Sequence, residues 1–398
     1  MWHNGYLCMQ VDAEISRVPQ SEPPPGAKRM VYLDNLRLSF TFLVILHHVC
    51  LTYAATSGWY FYQHLDDPFT NLVLNVLMGV GRTWVLACFF LISGYFTPGS
   101  LDRKGTWWFI KDRFIRIGIP LGLFALIIRP TMVYLLKRDT LSLEYSYVEN
   151  ILLLKNAAPG PAWFLEVLLV FSLAYAAWRA LTRSHRERER NARPFPGNGA
   201  VILFILVLAA FTFVMRIYLP SEKQILHLRL GNYAEYVAFF FAGIVAYRNR
   251  WLEKLTDLTG KQWTVITGAA VCVYIFFIVQ AWDANESLSF LRGGFSLKTL
   301  ITTYVGTFIA VGSSICLTYL FRTYLNAQPG IVGPMTQDAY AAFIFHSPII
   351  VAVTYWMQDT AVLHPFIKFL SAFVVGTVLS FLICHYFVKK IPYAKRVL

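Results

Sequence analysis

Apolar positions along the chain fall into long blocks, and short polar segments separate them. About 20 mostly apolar residues are enough for an α-helix to cross the hydrocarbon core of a bilayer. Ten blocks approach this length, at residues 36–55, 71–96, 117–136, 161–180, 200–219, 233–247, 263–281, 299–321, 338–357 and 366–388. The pattern predicts an all-α integral membrane protein, a bundle of about ten transmembrane helices.

Composition agrees with this prediction, since 57% of the 398 residues are hydrophobic and only 14% are charged. Soluble domains carry about 25% charged residues. The net charge is +13, but the charges lie between the apolar blocks. Orientation in the membrane explains this excess better than binding of nucleic acid, so no nucleic-acid partner is expected.

Lysine and arginine are distributed unequally between the two sides of the predicted bundle. Of the 35, 23 lie in the two ends and alternate connections, and 6 lie in the remaining connections. The positive-inside rule therefore predicts that both termini are cytoplasmic, which an even number of spans permits.

Three regions are expected along the chain: a disordered cytoplasmic tail over 1–31, a membrane domain over 32–392 and a short cytoplasmic tail over 393–398. The first 30 residues lack the apolar stretch and cleavage site of a signal peptide. The six cysteines include no CxxC pair and no Cys/His cluster with ligand spacing. Neither a metal site nor a tightly bound cofactor is expected.

Ionisable residues nevertheless occur inside the predicted spans, where each costs several kcal/mol (order of magnitude) and is rarely kept without a reason. They are Arg37, His47, His48, Arg82, Arg129, Glu166, Arg216, Glu235, His346 and His385. So many such residues on most of the spans indicate a hydrated cavity or a polar reaction site within the bundle.

The first span contains the segment RLSFTFLVILHH, from Arg37 to His48. Eleven residues at about 100° each bring these two side chains within about 20° of the same helix face, roughly 16 Å apart along the axis. His47 points about 80° away from Arg37. The bland alternative for each histidine, and for His346 in FIFHSPII, is a core imidazole bonded to a nearby carbonyl.

Two further segments carry candidate chemistry. In KDRFIRIGIP, Arg113 and Arg116 are neighbours on a helix surface and suit bidentate binding of phosphate, although ordinary membrane anchoring explains them equally well. In PAWFLEVLL, Glu166 lies about one turn inside its span. The Ser93-Gly94 pair in CFFLISGYF predicts a close approach of two helix backbones.

Taken together and in order, YLDNLRLSFTFLVILHH, FFLISGYF, RFIRIGIPL, PAWFLEVLL and HSPII resemble the acyltransferase-3 family of membrane acyltransferases. Arg37-x10-His48 resembles that family's Arg-x10-His signature, and Arg113-Phe-Ile-Arg116 its Arg-x-x-Arg signature. The resemblance spans about 32–392. FFLISGYF and RIGIP resemble most the branch that contains the succinyltransferase of periplasmic glucans.

The resemblance implies transfer of an acyl group, acetyl or succinyl, from cytosolic acyl-CoA to a hydroxyl of an extracytoplasmic glycan or glycoside. It also implies residence in the bacterial inner membrane. Some relatives carry a fused extracytoplasmic domain that completes the transfer, and none is expected after span ten. The bundle would finish the reaction or pass the acyl group to a separate protein, and a homo-oligomer is left open.

Residue roles follow as a hypothesis. Arg113 and Arg116 bind the CoA phosphates, and His48 acts as a neutral general base with Arg37 in the polar lining of its helix face. Arg82 stabilises the oxyanion. Glu166 and His346 are expected to contribute to substrate binding. Direct transfer and a covalent acyl-enzyme both remain open.

Two other classes compete with the acyltransferase. A transporter or flippase for a polar or acylated solute equally accounts for buried charge on many spans, although no inverted repeat is evident. A membrane sensor or scaffold would tolerate loss of both His48 and Arg113. Consumption of a thioester separates an acyltransferase from both.

Overall fold

The computed structural model describes residues 29–54, 59–138, 146–182, 192–220, 223, 230–360, 364–392 and 394–397. Within these ranges the chain is helical and contains no β-strand. The predicted disordered tail lies almost wholly outside the described residues.

Ten long helices occupy the positions of the ten predicted spans. They are α1 Val31–Tyr53, α2 Pro68–Lys104, α3 Thr106–Lys137, α4 Trp163–Leu181, α5 Asn198–Tyr218, α6 Tyr233–Asn249, α7 Asp257–Asp283, α8 Leu297–Tyr324, α9 Val332–Trp356 and α10 Pro365–Tyr386. Nine of these described helices are long and apolar enough to cross a membrane. The exception is α6, whose 17 residues lie at the lower limit for a span. The prediction of an all-α integral membrane protein is confirmed.

Helices α2 and α3 continue well beyond their predicted apolar blocks. Residues 98–116 were expected to form a connection, but only Gly105 interrupts the helices there. Its φ of +74° reverses the chain direction at a conformation that glycine adopts without a Cβ clash. The basic residues of this segment therefore lie on helical turns and hold fixed positions relative to one another.

Two π-helical turns, Phe114–Gly118 and Phe124–Ile128, interrupt the α-helical pattern of α3. Pro120 follows the first turn and has no N–H to offer the carbonyl four residues earlier, which belongs to Arg116. The Tyr340 hydroxyl of α9 donates to that carbonyl instead. Proline thus creates an acceptor in α3, and a side chain from another helix satisfies it.

Helices α2 and α6 make the closest crossing, at Gly94 and Gly243. A Cβ at Gly94 would lie 2.0 Å from the Phe240 carbonyl oxygen, and one at Gly243 would lie 2.0 Å from that of Leu91. The predicted backbone approach at Ser93-Gly94 is confirmed. Helix α1 packs against α2 and α9, which brings the predicted motif helices together on one side of the bundle.

Candidate active site

His48 of α1 and His346 of α9 form a direct pair. Their facing nitrogens, His48 Nδ1 and His346 Nε2, are 2.9 Å apart, and the ring centroids are 4.8 Å apart. His346 is 1% exposed. Nearly 300 residues separate the two along the chain, so their contact depends entirely on the packing of α9 against α1.

Hydrogen bonds to backbone carbonyls determine the tautomers of the pair. His346 Nδ1 lies 2.6 Å from the Phe343 carbonyl oxygen, which can only accept, so this nitrogen carries a proton. In the neutral ring, Nε2 of His346 is then an acceptor toward His48 Nδ1. His48 Nδ1 also lies 2.9 Å from the Val44 carbonyl oxygen. His48 must therefore be protonated at Nδ1, which leaves the lone pair on Nε2.

Helix sequence explains why both rings are held in this way. Val44 is one turn before His48 in the uninterrupted helix α1, so its carbonyl lies beneath the ring. In α9, Pro348 follows His346 by two residues and removes an N–H from the helical ladder. Both imidazoles bond to backbone, as the core-histidine alternative supposes, yet His48 Nε2 has no bond to any described residue.

Trp59, in the connection between α1 and α2, covers His48. The two rings are stacked, with centroids 4.5 Å apart and planes inclined by 25°. Sequence reasoning missed this residue because the connection has no regular periodicity. Its WYFY run of aromatic residues is the one signal that could have drawn attention to it.

Hydrogen bonds anchor the connection that carries Trp59 to the end of α1 and to the residues that follow α9. Gln63 donates its side-chain N–H to the Gln358 carbonyl at 2.9 Å, and Lys368 donates to the same oxygen at 2.9 Å. The Gln63 backbone N–H donates to the Thr52 carbonyl. These bonds hold the connection against the ends of α1 and α9, directly above the histidine pair.

Tyr60 lies next to Trp59 and contacts α3 and the residues that lead into α4. Its hydroxyl lies beside Arg129 and against Gly160, where a Cβ would fall 2.2 Å from the oxygen. Burial raises the pKa of Tyr60 to about 12, against the opposing effect of the Arg129 guanidinium. The phenol is protonated at neutral pH. Arg129 also donates to the Asn156 carbonyl, which ties the segment before α4 to α3.

His47 occupies a different position from its neighbour. Its ring meets that of His48 edge-on with centroids 5.5 Å apart, and His48 alone of the doublet bonds to His346. Consecutive residues of a helix point about 100° apart, which accounts for this difference.

Three arginines gather at the other end of α1. Arg37 and Arg113 lie within electrostatic range of each other, and Arg113 lies beside Arg116. Buried Asp112 bonds to Arg116 Nε at 3.1 Å and to Lys104 Nζ at 2.8 Å. The Arg113 Nε is buried and has no hydrogen-bond partner among the described residues. Cations outnumber carboxylates here, which suits an anion such as a phosphate.

The sequence-predicted pair Arg37 and His48 does not form a contact. Arg37 lies over the Phe96 ring, 4.2 Å from its centroid, and 3.7 Å from Asp34, close to the start of α1. The intact helix keeps the two residues on one face but about 16 Å apart. Arg37 therefore belongs spatially to the arginine cluster, defined as Arg37, Arg113 and Arg116.

Aromatic side chains occupy the space between the arginine cluster and the histidine pair. Phe40 of α1 packs on Phe89 of α2, with ring centroids 5.0 Å apart. Phe89 meets Phe343 at 6.1 Å, and Phe343 meets His346 at 6.0 Å. The two polar centres are thus connected through a zone of packed aromatic side chains.

The other predicted residues lie farther along the bundle. Arg82 is exposed on α2, within electrostatic range of Tyr274 and close to the buried pair formed by Arg216 and Glu235. Glu166 lies in the first turn of α4, near Tyr233. The structure thus brings His48 and His346 together and brings Arg37, Arg113 and Arg116 together, whereas Arg82 and Glu166 lie near other groups.

Possible metal ligands and a separate cavity were two further candidates for a functional site among the described residues. No group of three or more His, Cys, Asp or Glu side chains within the described ranges could hold a metal ion. A cavity of about 560 Å³ lies between the ends of α5 and α7 and is lined by Pro194, Asn198, Lys254 and Gln262. It shares no residue with the histidine pair or the arginine cluster.

Comparison with known proteins identifies the class. A family model described as an acyltransferase domain, acyltransferase 3, matches residues 30–385. The chain belongs to this family of membrane acyltransferases and is an acyltransferase. It is similar to the glucans biosynthesis protein C of Salmonella paratyphi B, Salmonella typhi and Salmonella typhimurium. Each is 24% identical over 341 residues, covering 81% of this chain and 83% of the relative. No solved structure matches the chain.

Proposed function

We propose that the protein transfers an acyl group from acyl-CoA to a hydroxyl of a glycan, with His48 as the general base. The single observation that carries this proposal is the histidine pair. The Val44 carbonyl and His346 together hold His48 in the tautomer whose Nε2 is unprotonated, and Nε2 has no hydrogen-bond partner among the described residues. A base needs such a lone pair.

In this proposal the arginine cluster binds the phosphates of CoA. Arg113 has an unpartnered Nε, and Arg116 retains its terminal nitrogens because Asp112 occupies only its Nε. Arg37 adds a third positive charge. The pantetheine arm then runs past Phe89 and Phe343 to bring the thioester to His48. The separation of about 16 Å along α1 suits a long, flexible arm.

The chemical step is then a direct transfer. His48 Nε2 takes the proton of the acceptor hydroxyl as its oxygen attacks the thioester carbonyl carbon. Collapse of the tetrahedral intermediate breaks the carbon–sulfur bond, and the departing CoA sulfur takes the proton from His48. Trapping of a labelled acyl group on the protein in the absence of acceptor would favour a covalent acyl-enzyme over this direct transfer.

The acceptor and the orientation extend the proposal. The relatives are named for glucan biosynthesis, so we take a glucan hydroxyl as the acceptor. We place the arginine cluster at the cytoplasmic face and Trp59 toward the outer face of a bacterial inner membrane, as the bias of 23 to 6 in basic residues supports.

Thioester consumption by the detergent-purified protein tests the proposal. Acetyl-CoA and succinyl-CoA are each incubated with a β-linked glucan oligosaccharide, and release of free thiol and mass of the oligosaccharide are followed. We expect thiol release together with an acyl adduct on the oligosaccharide. If the protein binds neither acetyl-CoA nor succinyl-CoA and releases no thiol, the result would contradict the proposal and favour a transporter.

A further inference from the structure

The first turns of α4 and α6 contain two buried polar atoms that no described residue satisfies. Glu166 Oε2 and the Tyr233 hydroxyl are both shielded from solvent, and neither has a hydrogen-bond partner among the described residues. They lie within electrostatic range of each other. A buried polar group without a partner is destabilising, so two together on different helices point to a ligand that bonds to both.

Aromatic rings surround these two groups. Trp163 meets Tyr236 with ring centroids 5.7 Å apart, and Tyr233 meets Tyr236 at 5.8 Å. Aromatic side chains beside a few well-placed polar atoms are typical of a site for a small organic ligand. The apolar C–H face of a sugar ring packs on such rings while its hydroxyls bond to the polar atoms.

The residues that lead into α4 also contact the aromatic side chains beside the histidine pair. Gly160, which leads into α4, contacts the Tyr60 hydroxyl. Tyr60 packs on Trp59 with centroids 5.0 Å apart, and Trp59 stacks on His48. Trp59 Nε1, a donor, is a third buried polar atom that has no partner within the described part of the chain. Contacts therefore lead from His48 through Trp59 and Tyr60 to the start of α4, the helix that carries Glu166.

We infer that Glu166 and Tyr233 form the acceptor subsite and that they bind the hydroxyls of a neutral sugar ring. This inference rests on the proposed function. A hydroxyl suits both groups, because it donates to a carboxylate oxygen and accepts from a phenol. An acceptor that carries its own carboxylate would face Glu166 with like charge. The subsite thus selects neutral glycosides over acidic ones.

Kinetics with the β-linked glucan oligosaccharide test the subsite. In Glu166→Gln and, separately, Tyr233→Phe, we expect the acceptor KM to rise at least about tenfold, as for loss of a hydrogen bond to a charged or buried group. The KM for acyl-CoA should not change. Glu286→Gln is the matched control, because Glu286 is exposed and pairs with Lys298.

A binding measurement makes the result independent of turnover. Quenching of tryptophan fluorescence by the oligosaccharide should follow a saturable curve in the wild type, which Glu166→Gln shifts to higher concentration. If both variants keep the acceptor KM and the quenching curve of the wild type, the subsite is overturned. The proposed function would not be affected by that result. Absence of thiol release in the wild type would overturn the proposed function, and the quenching curve would still decide the subsite.

Discussion

Two buried polar clusters in this bundle differ in how completely their atoms are paired. Arg216 bonds through two nitrogens to Asn232 Oδ1, at 3.1 and 2.8 Å, and lies 3.8 Å from Glu235. The Thr307 hydroxyl donates to Glu235. His48, by contrast, keeps Nε2 without a bond among the described residues. A closed network stabilises helix packing, whereas a cluster with an unused lone pair retains capacity for chemistry.

The comparison also separates two reasons for placing ionisable groups in a membrane. The sequence alone does not distinguish the two clusters, because both consist of ionisable residues inside predicted spans. Hydrogen-bond satisfaction distinguishes them, since the groups of the Arg216 cluster bond to one another, whereas the histidine pair keeps one nitrogen without a bond to any described residue. Substitutions in the first cluster should therefore lower stability, and substitutions in the second should lower activity.

The largest expected effect is that of His48→Ala on turnover. Loss of a general base should reduce kcat by about 10²- to 10⁴-fold. Thiol release under saturating substrates measures this loss, and the temperature of unfolding should change little. His47→Ala is the matched control and should keep near wild-type turnover. Equal losses in both variants would contradict the assignment of the base to His48.

Removal of one ion from the other cluster should act on stability. Arg216→Met leaves Glu235 buried without its cation, and breaking a buried pair costs about 3–5 kcal/mol. Thermal unfolding in detergent should show the loss, with kcat per folded molecule retained. The double variant Arg216→Met, Glu235→Gln should recover part of the stability. Full stability with lost turnover would reverse the roles of the two clusters.

Substitution of His346 tests its role as a positioning residue. In His346→Ala, the Nδ1 proton of His48 keeps the Val44 carbonyl but loses its second acceptor, so the ring is held less firmly and kcat should fall about 10- to 100-fold, as for other supporting shells. The acyl-CoA KM should be unchanged. His346→Gln keeps an acceptor oxygen and should restore part of kcat. A variant that alters only KM would instead assign His346 to substrate binding.

The smallest effect should come from the arginine cluster. Arg113→Gln removes one charge from the proposed phosphate site and should raise the acyl-CoA KM roughly tenfold, from a loss of about 1.5 kcal/mol. Arg113 is preferred over Arg116 because Arg116 also bonds to Asp112. Lys111→Gln on the same helix is the control. An unchanged KM would remove Arg113 from the donor site.

Sequence periodicity was sufficient for the spans and for the shared face of Arg37 and His48, because both depend on one helix at a time. It could not show that His346 meets His48, since that contact depends on how α9 packs against α1. Trp59 escaped notice for a similar reason, because an irregular connection carries no periodic signal. Spacing in one helix likewise gave no indication that Arg82 lies near Arg216.

The bond from Tyr340 to the Arg116 carbonyl joins α9, which carries His346, to α3, which carries two arginines of the arginine cluster. Tyr340 lies six residues before His346 on α9, about 9 Å along the same rigid helix. A phosphate-bearing ligand that displaced the π-helical turn of α3 would break this bond. If loss of the bond shifted α9, ligand binding and the histidine pair would be coupled, and reciprocity would require each to affect the other by the same factor.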